Sequence, residues 1–295
     1  IVQNMRSMRM YRGLDGIGVY SAGLNHNTIG TAATYGTIQT IYRNLHRLPE
    51  VDVVLVDEVQ NVAHKNSEAK MYNALMAHFP NARKIGVSAT PYRLDGLSLG
   101  YLFDDTVFSY NLLDGIRNGY LAELRGIRVK TNLDLTGVSR SMGDFNTSQL
   151  TAIVDTRARN SLVVESYKKY AEGRQAVCFA CDIQHCQHLK EIFDERGVSC
   201  EILVSDSDIT DDRKGVVARF KAGEFMVLIN VNMFTTGADH NDVGAILWAR
   251  PTMSQTLYVQ GTGRATRLKS KAYVERFGQQ ALVIDFVDNT TKLQL

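Results

Sequence analysis

The chain has 295 residues, 44% hydrophobic, 22% charged and 8% aromatic, with 33 Lys+Arg against 31 Asp+Glu for a net charge of +2. At roughly 100–200 residues per domain this length suits two domains, each with its own core. The near-balanced charge excludes an overall basic field, so any nucleic-acid contact has to come from a local patch. Four Cys are no disulfide framework and point to a reducing, cytoplasmic setting. No apolar run approaches the ~18–20 residues of a membrane span.

Short β-branched runs alternate with amphipathic stretches along the chain. The expected strands are residues 17–20, 29–34, 51–56, 84–88, 176–180, 200–204, 226–231, 244–248 and 282–286. The helix-like segments are 36–47, 67–78, 112–118, 157–172, 183–196, 211–221 and 254–264. The run VDVVLV at 51–56 is apolar enough for a strand covered on both faces, and the alternation implies parallel α/β layers. Residues 132–148 are polar, Gly/Ser-rich and weakly periodic, the segment expected to act as a linker. The chain opens at Ile1 and reads as if it enters mid-element, as expected of a processed form or a fragment.

Ligands of parallel α/β sheets sit at the carboxyl ends of strands, so chemistry is sought in the residues that follow them. Asp57 and Glu58 follow the run at 51–56. Adjacent carboxylates there can hold Mg²⁺ through water and deprotonate an attacking water, or simply form a solvated turn or helix start. Ser88, Ala89 and Thr90 end the next strand before Pro91, where small hydroxyls could bond the carboxylates or make a capped turn. Thr235, Gly237 and Asp239 follow a later strand. Gly237 permits close backbone approach to a ligand and Asp239 could accept from a ribose hydroxyl; a Gly turn with an Asx cap fits equally. Gln260, Gly263, Arg264 and Arg267 come next. Two arginines three apart share one helical face and could neutralise a phosphoryl transition state, or form a basic helix end that suits the macrodipole.

In this order the motifs resemble those of superfamily 2 helicases and translocases, in particular the DEAD/DEAH-like branch with its repair helicases and restriction-enzyme motors. Asp57 and Glu58 match motif II, Ser88-Ala89-Thr90 motif III, Gly237 and Asp239 motif V, and Gln260, Gly263, Arg264 and Arg267 the QxxGRxxR motif VI. Residues 34–39 resemble motif Ib, Gln3 the tail of motif Ia, and residues 177–180 stand where motif IV is expected. The segment from Arg250 through Pro251 and Thr252 to Ser254 fits the same branch.

The resemblance implies an α/β fold of two tandem RecA-like domains with parallel sheets, residues 1–121 and 122–295, the first incomplete at its N-terminus. It implies ATP and Mg²⁺ as cofactors, with Asp57 on Mg²⁺ through water, Glu58 activating water, and Gln260, Arg264 and Arg267 acting at the phosphates. Gly237, Asp239 and Gly263 would hold the nucleotide, and Gln60, Ser88, Ala89 and Thr90 would couple it to movement. Nucleic acid, DNA rather than RNA, would be met by Gln3, Arg6, Thr34, Thr37, Gln39 and Thr235; further domains or subunits are expected, and no membrane.

Two departures stand out. Gln60 replaces the His or Asp usual at the end of motif II, and no Gly-x-x-x-x-Gly-Lys-Ser/Thr phosphate loop occurs in the 295 residues. That loop lies upstream of motif Ia in the family, so the expectation is a truncated motor without ATPase activity of its own. The alternative is a non-hydrolysing nucleic-acid clamp or regulatory subunit on the same scaffold. An unrelated α/β hydrolase is the third reading and the least favoured.

Cys178, Cys181, His185, Cys186 and His188 crowd together as a zinc site would. Without paired knuckles, and with Cys186 at helical spacing from Leu189 and Phe193, they read as core thiols. Arg6, Arg9 and Arg12 recur at spacing three, on a nucleic-acid face or a solvated one. Tyr35, Tyr42, Phe234 and Tyr258 could stack on bases and as readily belong to core or rim, whereas Trp248 is expected inside.

Overall fold

The β-branched runs form the strands of a computed structural model that describes residues 16–59, 67–89, 102–131, 133–141, 144–231 and 240–286. It divides into two units, Ile1–Val107 and Phe108–Leu295.

In the first unit, β1 (Ile17–Ser21) is buried along its length. It pairs antiparallel with β2 (His26–Asn27) and parallel with β3 (Ala33–Gly36), and α1 (Ile38–Arg43) follows. β4 (Val53–Val56), α2 (Ser67–His78) and β5 (Arg83–Gly86) make a βαβ crossover with the strands parallel. Val54, Val56 and Val59 pack with Leu75, Met76 and Phe79. The expectation that this strand is covered on both faces is not met among the described residues. Val53 and Leu55 are 47% and 61% exposed, because α1 and α2 pack on the other face.

The second unit begins with α3 (Leu112–Arg117), whose first turn is capped by Asn111 accepting from the Asp114 N–H at 2.9 Å. After it come β6 (Leu124–Arg128), the hairpin β7 (Arg140–Ser141) and β8 (Asp144–Phe145), α4 (Thr147–Val154) and α5 (Arg157–Ala171). Alternation then takes over: β9 (Gln175–Phe179), α6 (Ile183–Glu195), β10 (Cys200–Leu203), α7 (Arg213–Ala222), β11 (Val227–Asn230), β12 (Val243–Trp248), α8 (Gln255–Gly263), α9 (Lys271–Phe277) and β13 (Ala281–Asp285). The six strands run parallel in the order β10-β11-β9-β12-β13-β6. Side chains alternate across the sheet. Cys178 and Leu247 face Tyr167, Leu189 and Phe193 of α5 and α6, while Val177, Phe179 and Ile246 face Phe220 and Tyr258 of α7 and α8. Two covered faces explain why these strands read as continuous apolar runs.

Residues 132–148 are not a linker. Their described residues lie within the second unit, where Val138 is buried with Leu150, Val154 and Cys181, and Leu133, Leu135 and Phe145 pack against them. Polar composition here serves hydrogen bonds between segments, such as the Ser139 N–H and hydroxyl donating to Gln149 Oε1 at 2.8 Å. Residues 108–121, placed with the first lobe from sequence, group with the second unit. All four cysteines are free and buried, and no helix of the described residues is long and apolar enough to cross a membrane.

The carboxyl end of β9 leads into a buried polar network. The Cys181 N–H donates to His185 Nδ1 at 3.2 Å, so Nε2 carries the proton and donates to Asn160 Oδ1 at 3.0 Å. Asn160 Nδ2 in turn donates to Asp155 Oδ1 at 2.8 Å, and His188 Nδ1 meets Asp155 Oδ2 at 2.7 Å. Burial holds the His185 imidazole at about 4, below its ordinary 6.5. Between these values the unfolded chain takes up a proton that the folded chain refuses. Stability contributed by neutral His185 is therefore complete above the ordinary value and falls as pH drops toward 4, by up to about 1.4 kcal/mol per pH unit. Urea midpoints at about pH 7 and pH 5 should thus differ more in the wild type than in His185→Gln; equal differences would refute this account.

Candidate functional site

The acidic pair stands where the parallel strands of the first unit end. Asp57 follows β4 and is exposed; Glu58 is half-buried, and its N–H donates to Asp57 Oδ1 at 2.9 Å. Backbone pairing continues past the strands, with the Val87 N–H on Val56 O at 2.9 Å and the Val59 N–H on Val87 O at 3.1 Å. Asp57–Glu58 is thereby brought level with Val87, which leads into Ser88 and Ala89, and buried Val59 anchors the turn. Glu58 adopts φ +52°, a left-handed conformation that costs a non-glycine residue about 1 kcal/mol or more.

Within β3, Thr34 is exposed with its hydroxyl 3.2 Å from that of Thr31; beyond the strand, Thr37 precedes α1, its hydroxyl donating to Thr40 at 2.9 Å. Gln39 is exposed on the first turn of α1. Thr37 and Gln39 lie past the carboxyl end of the β1–β3 pair, where Tyr20 is in register with Gly36, whereas Thr34 pairs with Gly18 further back.

In the second unit the counterpart is α8. Its start is capped by Ser254, which accepts from the Leu257 N–H at 3.1 Å. The rings of Phe179, Trp248 and Tyr258 stack at centroid distances of 4.4 and 4.8 Å, and Trp248 Nε1 donates to Thr262 at 3.2 Å. Tyr258 is therefore core and is not placed to stack on a base, whereas Trp248 is buried as expected. Gly261 makes this approach possible: a Cβ there would lie 2.8 Å from Trp248 and 2.9 Å from Phe179. Nothing stands within 4 Å of a Cβ at Gly263.

The expected helical face bearing both arginines is not formed. α8 ends at Gly263 with Arg264 as its C-cap. The chain continues in tight turns, the Ala265 N–H on Thr262 O at 3.0 Å and the Thr266 N–H on Gly263 O at 3.2 Å. Those turns leave Gly263 and Arg267 lining one groove; Gln260 and Arg264 are not part of that lining. Arg267 is half-buried, and burial pulls its guanidinium below the ordinary value. A groove of about 470 Å³ beside it is lined in part by Tyr120, Asn241, Gly263, Thr266 and Arg267.

Residues 158–269 match the family described as helicase conserved C-terminal domain. ATP-dependent helicase IRC3 of Saccharomyces cerevisiae is 30% identical over 243 residues, 79% of this chain and 34% of that protein. The type I restriction enzyme EcoAI endonuclease subunit of Escherichia coli is 23% identical over 256 residues, 77% of this chain and 30% of that one. A fragment of a type I restriction HsdR subunit from Vibrio vulnificus superposes with a TM-score of 0.71 at 20% identity, over 97% of this chain and 56% of that chain. Residues 158–269 belong to the helicase C-terminal domain family.

Dbp5 of Saccharomyces cerevisiae, solved with RNA and ADP BeF3, shares the fold at a TM-score of 0.55 and 14% identity, over 99% of this chain and 70% of that chain. The chain spans about a third to a half of the length of the first curated relatives it matches, 34%, 53% and 39%. Gln3, Arg6, Gln60, Thr90, Thr235, Gly237 and Asp239, together with Phe234, lie outside the described residues.

Two charged residues at α8 escaped sequence reasoning. Asp144, inside the supposed linker, accepts at Oδ2 from Arg250 Nη2 at 2.8 Å and the Thr252 hydroxyl at 2.9 Å. Its Oδ1 accepts from the Met253 N–H at 2.7 Å, so this carboxylate pins the segment that starts the helix. Lys269 occupies the other end. Neither has a local signal, since the partners of Asp144 and two of the three partners of Lys269 lie far along the chain. The glycine geometry gives a direct test: Gly261→Ala should destabilise the chain by about 1–3 kcal/mol through overpacking, while Gly263→Ala is neutral or stabilising. Denaturant unfolding of both variants checks it, and equal effects would refute it.

Proposed function

We propose that the chain is the two-lobed motor part of an ATP-dependent helicase or translocase that moves on a nucleic-acid strand, DNA rather than RNA. The observation that carries this reading is the Asp57–Glu58 pair held by backbone bonds at the end of a parallel strand, level with Val87, which leads into Ser88 and Ala89.

The residues present suit a magnesium nucleotide in part. Exposed Asp57 offers the hard oxygen ligand that Mg²⁺ takes, directly or through water. The phosphate-cradling loop is not among the 295 residues, so the proposal concerns a form in which they are joined to one. Bound ATP supplies the phosphoanhydride whose hydrolysis drives movement. In this reading Glu58 accepts a proton from the attacking water, and Arg264 and Arg267, with Gln260, bind charge developing on phosphoryl oxygens. Gly237, Asp239 and Gly263 hold the nucleotide, while Gln60, Ser88, Ala89 and Thr90 relay its state. Gln3, Arg6, Thr34, Thr37, Gln39 and Thr235 meet the strand, mainly at phosphates and therefore in a salt-sensitive way.

A second reading is a nucleic-acid clamp or regulatory subunit that does not hydrolyse ATP. Affinity for nucleic acid that ignores ATP in the longest natural form would support it.

In that form Glu58→Gln should lower nucleic-acid-stimulated ATP hydrolysis by about 10²–10⁴ while sparing ATP binding. Unchanged turnover would sink the assignment. Arg267→Ala should slow hydrolysis by about 10³–10⁵ with little loss of nucleic-acid affinity; the opposite pattern would place this arginine on the nucleic-acid face.

A further inference from the structure

Lys269 lies two residues past Arg267, outside every motif singled out above. It is only 7% exposed, and its ammonium donates to the carbonyls of Ala265 at 2.9 Å, Asn241 at 2.9 Å and Val243 at 2.8 Å. An ammonium has three donors and no acceptor, so these bonds use it fully. Two of the carbonyls belong to the start of β12, at Val243, and to the chain leading into it, at Asn241. The third lies in the turn between Arg264 and Arg267, just past α8, where terminal carbonyls lack intrahelical partners and a cation suits the helix dipole.

We propose that Lys269 is the positioning residue that fixes the turn carrying Arg264 and Arg267 and ties it to the segment ending at Asn241, which follows Gly237 and Asp239 in sequence. This rests on the reading that those arginines act on a nucleotide. One cation bonded to both segments makes a displacement of either felt by the other.

The charged and titratable groups facing Lys269 are Asp242 ahead of β12, Arg174 ahead of β9, Arg267 on its own segment, His240, and the Tyr273 ring of α9 at 5.6 Å. Burial outweighs Asp242 and brings the ammonium down to about 8. Burial also holds His240 below its ordinary value and the Tyr273 phenol above its own, while the arginines stay charged. Among these groups Lys269 is the one that changes charge near pH 8. Losing the proton leaves two donors for three carbonyls, so the grip is present below that pH and weakens above it.

The test uses the 295-residue chain labelled with ¹⁵N, its amide shifts followed from about pH 6.5 to about pH 9. Amides of Thr266, Arg267 and residues 241–243 should titrate together with a midpoint near 8. The titration should vanish in Lys269→Met, which keeps the apolar stem and the shifts of β9 and β13. No midpoint near 8 in the wild type, or its persistence in Lys269→Met, overturns the proposal; if the variant does not fold, the wild-type titration decides alone. In a form that hydrolyses ATP, Lys269→Met should lower kcat about tenfold or more with KM for nucleic acid unchanged, and an unchanged kcat overturns the proposal. If no form hydrolyses ATP, the proposed function fails, while the amide titration still judges Lys269.

Discussion

The second unit depends on how closely α8 is pressed onto its parallel sheet. Gly261 has no side chain to hold the helix away, so its backbone rests against Trp248 and Phe179. The stacked rings of Phe179, Trp248 and Tyr258 fill the contact, each ring pair adding about 0.5–1.5 kcal/mol beyond the area it buries. Gln260, Arg264 and Arg267 are carried on this rigid base. Lifting the helix by the size of one methyl group would move every polar residue at its end.

Both ends of α8 are held by charge, half-buried at the start and buried at the finish, with signs that complement its dipole. The Asp144 carboxylate sits at the start, bonded to Arg250, Thr252 and the Met253 N–H. The Lys269 ammonium sits at the finish, bonded to three carbonyls. Buried charges are costly unless nearly every lone pair and proton is used, and here they are well used. Such groups contribute direction more than net stability: a hydrophobic substitute could pack as well, but it would not say where a backbone turn must lie.

The first unit holds its acidic pair by a different device. Past the last paired residues of β4 and β5, the N–H groups of Val87 and Val59 go on bonding across the strands. That pairing, with Val59 buried, places Asp57 and Glu58 level with Val87 and Ser88 and leaves Glu58 in a left-handed conformation. Local propensity would not choose this conformation for a glutamate; the pairing on both sides imposes it.

The sequence by itself determined the layered α/β class, the position of most strands and helices, and the family, because apolar periodicity and motif spacing are local properties of the chain. Strand β6 escaped notice because Arg125, Gly126 and Arg128 mark an exposed sheet edge, not a buried run. α4 and the β7–β8 hairpin were hidden in composition that resembles a linker. Only the tertiary structure decided that Tyr258 belongs to the core, that Arg264 and Arg267 lie on a turn past the helix, and that Gly261 is the glycine in close contact. It alone revealed Asp144 and Lys269, whose partners reach 109 and 28 residues along the chain. The physical reason is the same in each case: a polar or aromatic side chain declares its role only through the atoms that fold around it, and sequence pattern records the period of burial but not the identity of the neighbour.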